Sequence, residues 1–133
     1  MADEPRPSTQ SLSPDDIVRR YWEHVWIRRD LSVLGDLYND PTIRHTANGS
    51  RVMTLAELEA TLSDALRAVR GESFTVDQLT IDGAIAWLRL TLHGMNLANM
   101  SPTTITWLAQ YRLENGRIAE TWGLHQSGLD WHL

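Results

Sequence analysis

The chain reads as an α+β domain, with helices gathered in the first half and packed on one face of an antiparallel sheet built from the second half. Three observations predict this. Apolar residues recur at helical spacing as far as Val69. After Gly71 the period changes to two, and two turn signals, Asp82-Gly83 and Asn115-Gly116, divide the strands into hairpins. A chain of 133 residues and 15.1 kDa is one ordinary domain, large enough to bury a core without a metal or disulfide staple.

Residues 1–11 (MADEPRPSTQS) read as a flexible tail, because proline, serine and charge cannot build a core. Residues 12–133 are then the single domain. Ser13-Pro14-Asp15-Asp16 starts a helix: a capping hydroxyl, a proline at the first helical position, and acids at the positive end of the helix dipole. Ile17, Tyr21 and Val25 follow on one row and Val18, Trp22 and Trp26 on the next, which predicts a helix to about Arg29. Asp30 caps a second, short helix through Leu31, Leu34 and Leu37, and Asp40-Pro41 ends it. Residues 42–46 form a short strand ending near His45, and Asn48-Gly49-Ser50 a turn. Thr54 and Glu57 make a capping box for a third helix, with an apolar face of Leu55, Leu58, Leu62, Leu66 and Val69 and a C-terminal glycine at Gly71. Four strands follow, at residues 73–81, 84–93, 103–113 and 117–126, with a loop at 94–102.

Composition removes several kinds of chemistry. There is no cysteine, so thiolate catalysis, disulfides and Cys-ligated zinc are excluded. All 12 basic residues are arginine, so Schiff-base and P-loop lysine chemistry are excluded too. A net charge of −5 argues against nucleic acid as a partner. No segment approaches the ~18–20 apolar residues of a membrane span, and the best run, 84–92, is interrupted by Arg89. The N-terminus has no apolar core of a secretory signal, so the expected location is cytoplasmic. The histidines show no HxH or HExxH spacing, so no metal site is expected. Six tryptophans against one phenylalanine demand large aromatic surfaces to bury.

The stretch at residues 21–40 (YWEHVWIRRDLSVLGDLYND), the strand PTIRHT, the helix TLAELEATL and above all YRLENGRIAETWG resemble the SnoaL-like branch of the NTF2-like superfamily. The resemblance spans about residues 14–130. It implies a cone, in which a strongly curved antiparallel sheet wraps around three N-terminal helices and encloses a pocket. The family includes polyketide cyclases, ketosteroid isomerases, dehydratases and epoxide hydrolases beside non-catalytic binding and assembly modules, so fold alone does not fix activity. It also implies no cofactor and a homodimer through the outer sheet face. His45 in PTIRHT falls near the isomerases' catalytic aspartate, and Tyr21 near their oxyanion-stabilising helical tyrosine. Their second acid would fall near Ala109, which can donate nothing. The cyclases' late aspartate would fall near His125 or Gln126. Neither departure favours a simple transfer of those activities.

The candidate catalytic residues are therefore His45, as general base, with Tyr21 and His125 as donors to a developing oxyanion. His45 is equally readable as a satisfied strand histidine. Along the last strand Ala119, Thr121, Gly123 and His125 share a face, and these small residues leave room for a ligand beside His125, whose alternative is a solvated C-terminal histidine. Trp22, Trp26, Trp87, Trp107 and His93 are the candidate substrate-binding residues, with core or interface as the alternative for the tryptophans and exposure for His93. Arg89 needs solvent or an acid, with Glu120 a possible partner. The expected function is a small cofactor-independent enzyme of cyclase, isomerase or dehydratase type. It moves protons on an apolar, ring-containing carbonyl compound that is aromatic or polycyclic. The alternative is a non-catalytic small-molecule-binding protein or a dimeric interaction module of the same fold.

Overall fold

The computed structural model describes residues 12–132; the tail expected at 1–11 lies outside the described residues. Helix α1 (Pro14–Arg20) starts where Ser13 caps the Asp16 amide, and continues as wider π turns over Tyr21–Ile27. Asp30 caps a single tight turn (Leu31–Val33) that runs into α2 (Leu34–Leu37). Helix α3 (Leu55–Ala68) carries the complete Thr54/Glu57 capping box. These helices bury Ile17, Val25, Leu34, Leu37, Leu58 and Leu62 against one face of the sheet, which answers with Leu88, Leu90, Leu92 and Ile118.

The sheet has six strands: β1 (Tyr38–Thr46), β2 (Gly49–Met53), β3 (Val69–Asp82), β4 (Ile85–Asn96), β5 (Ser101–Glu114) and β6 (Arg117–Ser127). Their order is β2-β1-β6-β5-β4-β3. The architecture is the α+β arrangement expected, with two differences. Residues 49–53 form a strand rather than extending the turn, because β1 offers them a free edge to pair with. The sheet is also mixed: β1 lies parallel to β6, with every other pairing antiparallel. A strand reached across α3 and two hairpins can return parallel, which local turn signals do not reveal. The sheet stays open at β2 and β3.

Four register shifts, in the β1–β6 pairing, at two points of the β3–β4 pairing and in the β5–β6 pairing, bend the long strands around the helices. Asn115 and Gly116 both take positive φ, 56° and 76°, as a tight hairpin of matching twist requires. Gly71 does not end α3 as expected. It lies within β3, where an added Cβ would meet the Trp26 carbonyl oxygen at 2.8 Å, so the glycine lets the first helix sit directly on the sheet.

Candidate active site

Strand alternation divides β1, β5 and β6 between two surfaces. The inner set, Thr42, Arg44, Trp107, Ala109, Tyr111, Thr121, Gly123 and His125, faces the helices. There the curled sheet, α1 with its π turns, and α3 enclose a cavity of about 560 Å³. Trp22, Trp26 and Trp107 form an aromatic wall, Trp22 stacked on Trp26 (5.8 Å between ring centroids) and edge-on to Trp107 (5.1 Å). The tryptophans are anchored by their polar edges: Trp26 Nε1 donates to Tyr21 Oη and Trp22 Nε1 to Tyr111 Oη, both at 3.1 Å. Among the described residues the buried Trp107 N–H has no partner, and its ring packs 4.3 Å from that of His125.

Three tyrosines, Tyr21, Tyr38 and Tyr111, line this cavity with Arg44 and His125. Burial raises the Tyr38 phenol, and the neighbouring Tyr21 hydroxyl raises it further; burial likewise raises Tyr111. Both phenols therefore stay protonated and remain donors. His125 is moved the other way: partial burial, then the Arg44 guanidinium, lowers its pKa below the ordinary histidine value. The lowered pKa favours the neutral ring, the side chain stays solvent-exposed where the cavity opens, and among the described residues neither of its ring nitrogens has a hydrogen-bond partner. Gly123, two residues earlier, faces open space, since an added Cβ would meet nothing within 4 Å. The small-residue face expected on the last strand is thus the floor of the cavity.

His45 sits differently. It is one residue along from Arg44, and its ring stacks on Trp122 at 5.1 Å. Its Nδ1 is 2.6 Å from Ser50 Oγ and its Nε2 2.7 Å from Glu120 Oε2. Glu120 is also bonded by Arg112 Nε at 3.1 Å, and the hydrogen bond from His45, then Arg112, keeps its carboxyl below the usual range. His45 borders the cavity, yet both ring nitrogens are engaged with this outer network.

The structure therefore brings Tyr21, His125, Trp22, Trp26 and Trp107 together around one cavity. It does not bring Trp87 or His93 there. Trp87 is 52% exposed on the outer face, where it lines a shallow trough of about 400 Å³ with Arg89, Leu108, Trp122 and Leu124. His93 occupies the same outer face of β4, beside Asp130 of the C-terminal segment. Arg89 stays on that surface, and Glu120 pairs with Arg112 instead. Among the described residues no group of three or more His, Asp or Glu side chains is placed to hold a metal ion, and no helix is long and apolar enough to cross a membrane.

A profile of the SnoaL-like domain matches residues 18–121, most of the chain and all of the cavity wall except His125 and its neighbours. The chain belongs to the SnoaL-like family. Solved structures agree in fold. IdmH from Streptomyces antibioticus, provisionally described as a polyketide cyclase, is 18% identical over 86% of this chain and 93% of its own, with a TM-score of 0.72. A SnoaL-like polyketide cyclase from Agrobacterium tumefaciens is 17% identical over 86% and 92%, with a TM-score of 0.73. A protein of ketosteroid isomerase-like fold from Catenulispora acidiphila, solved with trimethylamine, is 16% identical over 84% and 85%, with a TM-score of 0.68. No curated protein matches the sequence.

Sequence reasoning missed Arg44, Tyr38 and Tyr111 as parts of this SnoaL-like site. One signal was available for Arg44. It alternates with His45, so the two side chains leave β1 toward opposite surfaces and only one of them points inward. Tyr111 shares the Trp107 stripe, which reads as core or interface until the sheet is known to curl.

Proposed function

We propose that this SnoaL-like protein is a cofactor-independent enzyme that transfers protons on an apolar, ring-containing carbonyl compound, with His125 as the base. The observation that carries this reading is a histidine at the mouth of an aromatic cavity whose ring nitrogens, among the described residues, have no hydrogen-bond partner. In the reaction, neutral His125 removes a proton from carbon α to the carbonyl. The C–H electron pair moves to the carbonyl oxygen, giving an enolate. Tyr21 accepts the Trp26 N–H, which leaves its own O–H proton for that oxygen. With a β,γ-unsaturated ketone the enolate is a dienolate, and protonated His125 returns the proton to the γ-carbon as the carbonyl re-forms; with a β-hydroxy ketone the returning enolate electrons break the β-carbon–oxygen bond, and protonated His125 supplies the proton with which the hydroxyl leaves as water. These are the isomerase and dehydratase outcomes. Trp22, Trp26 and Trp107 limit water and so strengthen the hydrogen bonds to the enolate. His45 has a positioning part in this reading, because its two nitrogens hold β2 and Glu120 to β1.

The test is solvent deuterium exchange into a panel of cyclic ketones, starting with α-tetralone, followed by NMR. Exchange is expected to accelerate with the wild type, to fall by about 10²–10⁴-fold in His125→Ala, and to persist in His45→Ala. Loss of exchange in His45→Ala with a normal fold would return the base to His45. A second reading has its own support: no carboxylate lines the cavity among the described residues. A protein that binds the ketones without exchanging them would be a binding protein.

The outer trough, with exposed Trp87, Leu108 and Leu124, is the face we assign to a homodimer. Light scattering of Leu108→Glu against wild type tests it, and a wild-type monomer at micromolar concentration would refute it.

A further inference from the structure

The cavity's charges do not balance. Arg44 carries a guanidinium with five N–H donors into an aromatic enclosure, and among the described residues none of these donors makes a hydrogen bond or an ion pair. What faces it from the packed elements is Tyr38 on its own strand, Tyr111 on β5 and His125 on β6, all close enough for its charge to act on their ionisation. None of these carries a negative charge at neutral pH. On the neighbouring strand β2, the residue directly opposite Arg44 is Arg51, a second cation on the same sheet face. Like charges in direct cross-strand register repel. The nearby acids are engaged elsewhere: Asp40 accepts the Leu55 amide, Glu57 closes the α3 capping box, and Glu120 is held by His45 and Arg112.

An unpaired, partly buried guanidinium is costly unless something anionic meets it. We infer that the cavity takes a flat, ring-containing acid and holds its carboxylate on Arg44. The planar fork of a guanidinium matches a carboxylate with two parallel hydrogen bonds. Arg51 is exposed and Arg44 is the one cation that lines the cavity, with neutral phenols around it, so a monoanion matches its charge. Trp107, backed by the buried Trp22 and Trp26, supplies the aromatic surface for the rings, and about 560 Å³ is ample for a polycyclic molecule. This inference rests on the reading of the cavity as a site for ring compounds and names the substrate class within it: an aryl or polycyclic keto acid, anchored at one end and presenting the carbon α to its carbonyl to His125.

The test uses 2-naphthoate and its neutral counterpart 2-naphthamide, titrated against the full chain by tryptophan fluorescence and checked by calorimetry. Wild type is expected to bind the acid about 10–100-fold more tightly than the amide, as a charge-assisted pair implies. Arg44→Gln is expected to bring the two affinities together, by weakening the acid far more than the amide. Equal binding of acid and amide by wild type overturns the inference and leaves the ring-compound reading standing. A preference for the acid that survives in Arg44→Gln also overturns it. Binding of neither probe overturns both. If Arg44→Gln fails to fold by circular dichroism, Arg44→Lys takes its place: it keeps the charge, loses the fork, and is expected to keep only part of the preference, so a full preference there counts against the bidentate pair.

Discussion

Arg44 and His45 are consecutive residues on β1, and they meet opposite surroundings. His45 turns to the outer network and has both nitrogens bonded, stacks on Trp122, and joins a carboxylate already held by Arg112. Arg44 turns to the cavity and, among the described residues, finds no acceptor. His125, on the neighbouring strand β6, also has no hydrogen-bond partner among the described residues; its side chain is exposed at the cavity mouth, and desolvation and then the Arg44 charge lower its pKa. A group whose hydrogen bonds are complete holds strands together. A group whose bonds are incomplete can complete them with a ligand. Chemical type made His45 the attractive base; in the function we propose, availability gives that part to His125.

The contrast can be broken outright by filling the cavity. Gly123→Leu adds a side chain where an added Cβ meets nothing within 4 Å, so the fold is expected to survive. Binding of 2-naphthoate and deuterium exchange are both expected to disappear. Retained binding in calorimetry would place the ligand elsewhere. Next in size is the loss of exchange in His125→Ala, about 10²–10⁴-fold. Its pH profile sharpens the point. The base must be unprotonated, so exchange is expected to fall only as pH drops through the lowered pKa of His125, on the acid side of the ordinary histidine range. A bound carboxylate offsets the charge of Arg44, so the His125 pKa followed by NMR is expected to rise when 2-naphthoate binds, and an unchanged value would separate the two groups.

On the outer face the effects are smaller and structural. His45→Ala removes two hydrogen bonds from a half-exposed site, with an expected cost on the order of 1 kcal/mol in thermal denaturation and no change in cavity binding. The smallest effect concerns the C-terminal segment. His132 bonds Asp77 at 2.8 Å and Asp130 at 2.6 Å, and these bonds, Asp77's first, raise its pKa. A raised folded pKa means that the stabilisation is complete below the unfolded histidine value and fades as pH rises through the folded one. Amide exchange around Trp131 is therefore expected to quicken from acid to mildly alkaline pH in wild type and to show no such step in His132→Ala.

Much of this was legible in the residues themselves. The Ser13 cap, the Thr54/Glu57 box and the Asn115-Gly116 turn each depend on side chains a few positions apart, so they are written locally and appear in the structure as read. The cavity face of β6 was legible for the same reason, because alternation along one strand needs no knowledge of its neighbours. The motif order alone carried the family and with it the helices inside a curved sheet. Tertiary structure decided the rest. Pairing β1 parallel to β6 places His45 beside Trp122 and Glu120 from 75 residues away, and the same register turns Arg44 inward to His125. A one-residue difference in that register would exchange the two side chains between the faces, and no local pattern in PTIRHT specifies it. The tryptophans divide likewise: Trp22, Trp26 and Trp107 go to the cavity, Trp87 and Trp122 to the outer trough. The sequence by itself determined that the chain had to bury large aromatic surfaces without lysine or cysteine chemistry. Which of those surfaces enclose a site depended on how far the sheet curls, and that follows from bulges and long-range pairing rather than from any single strand.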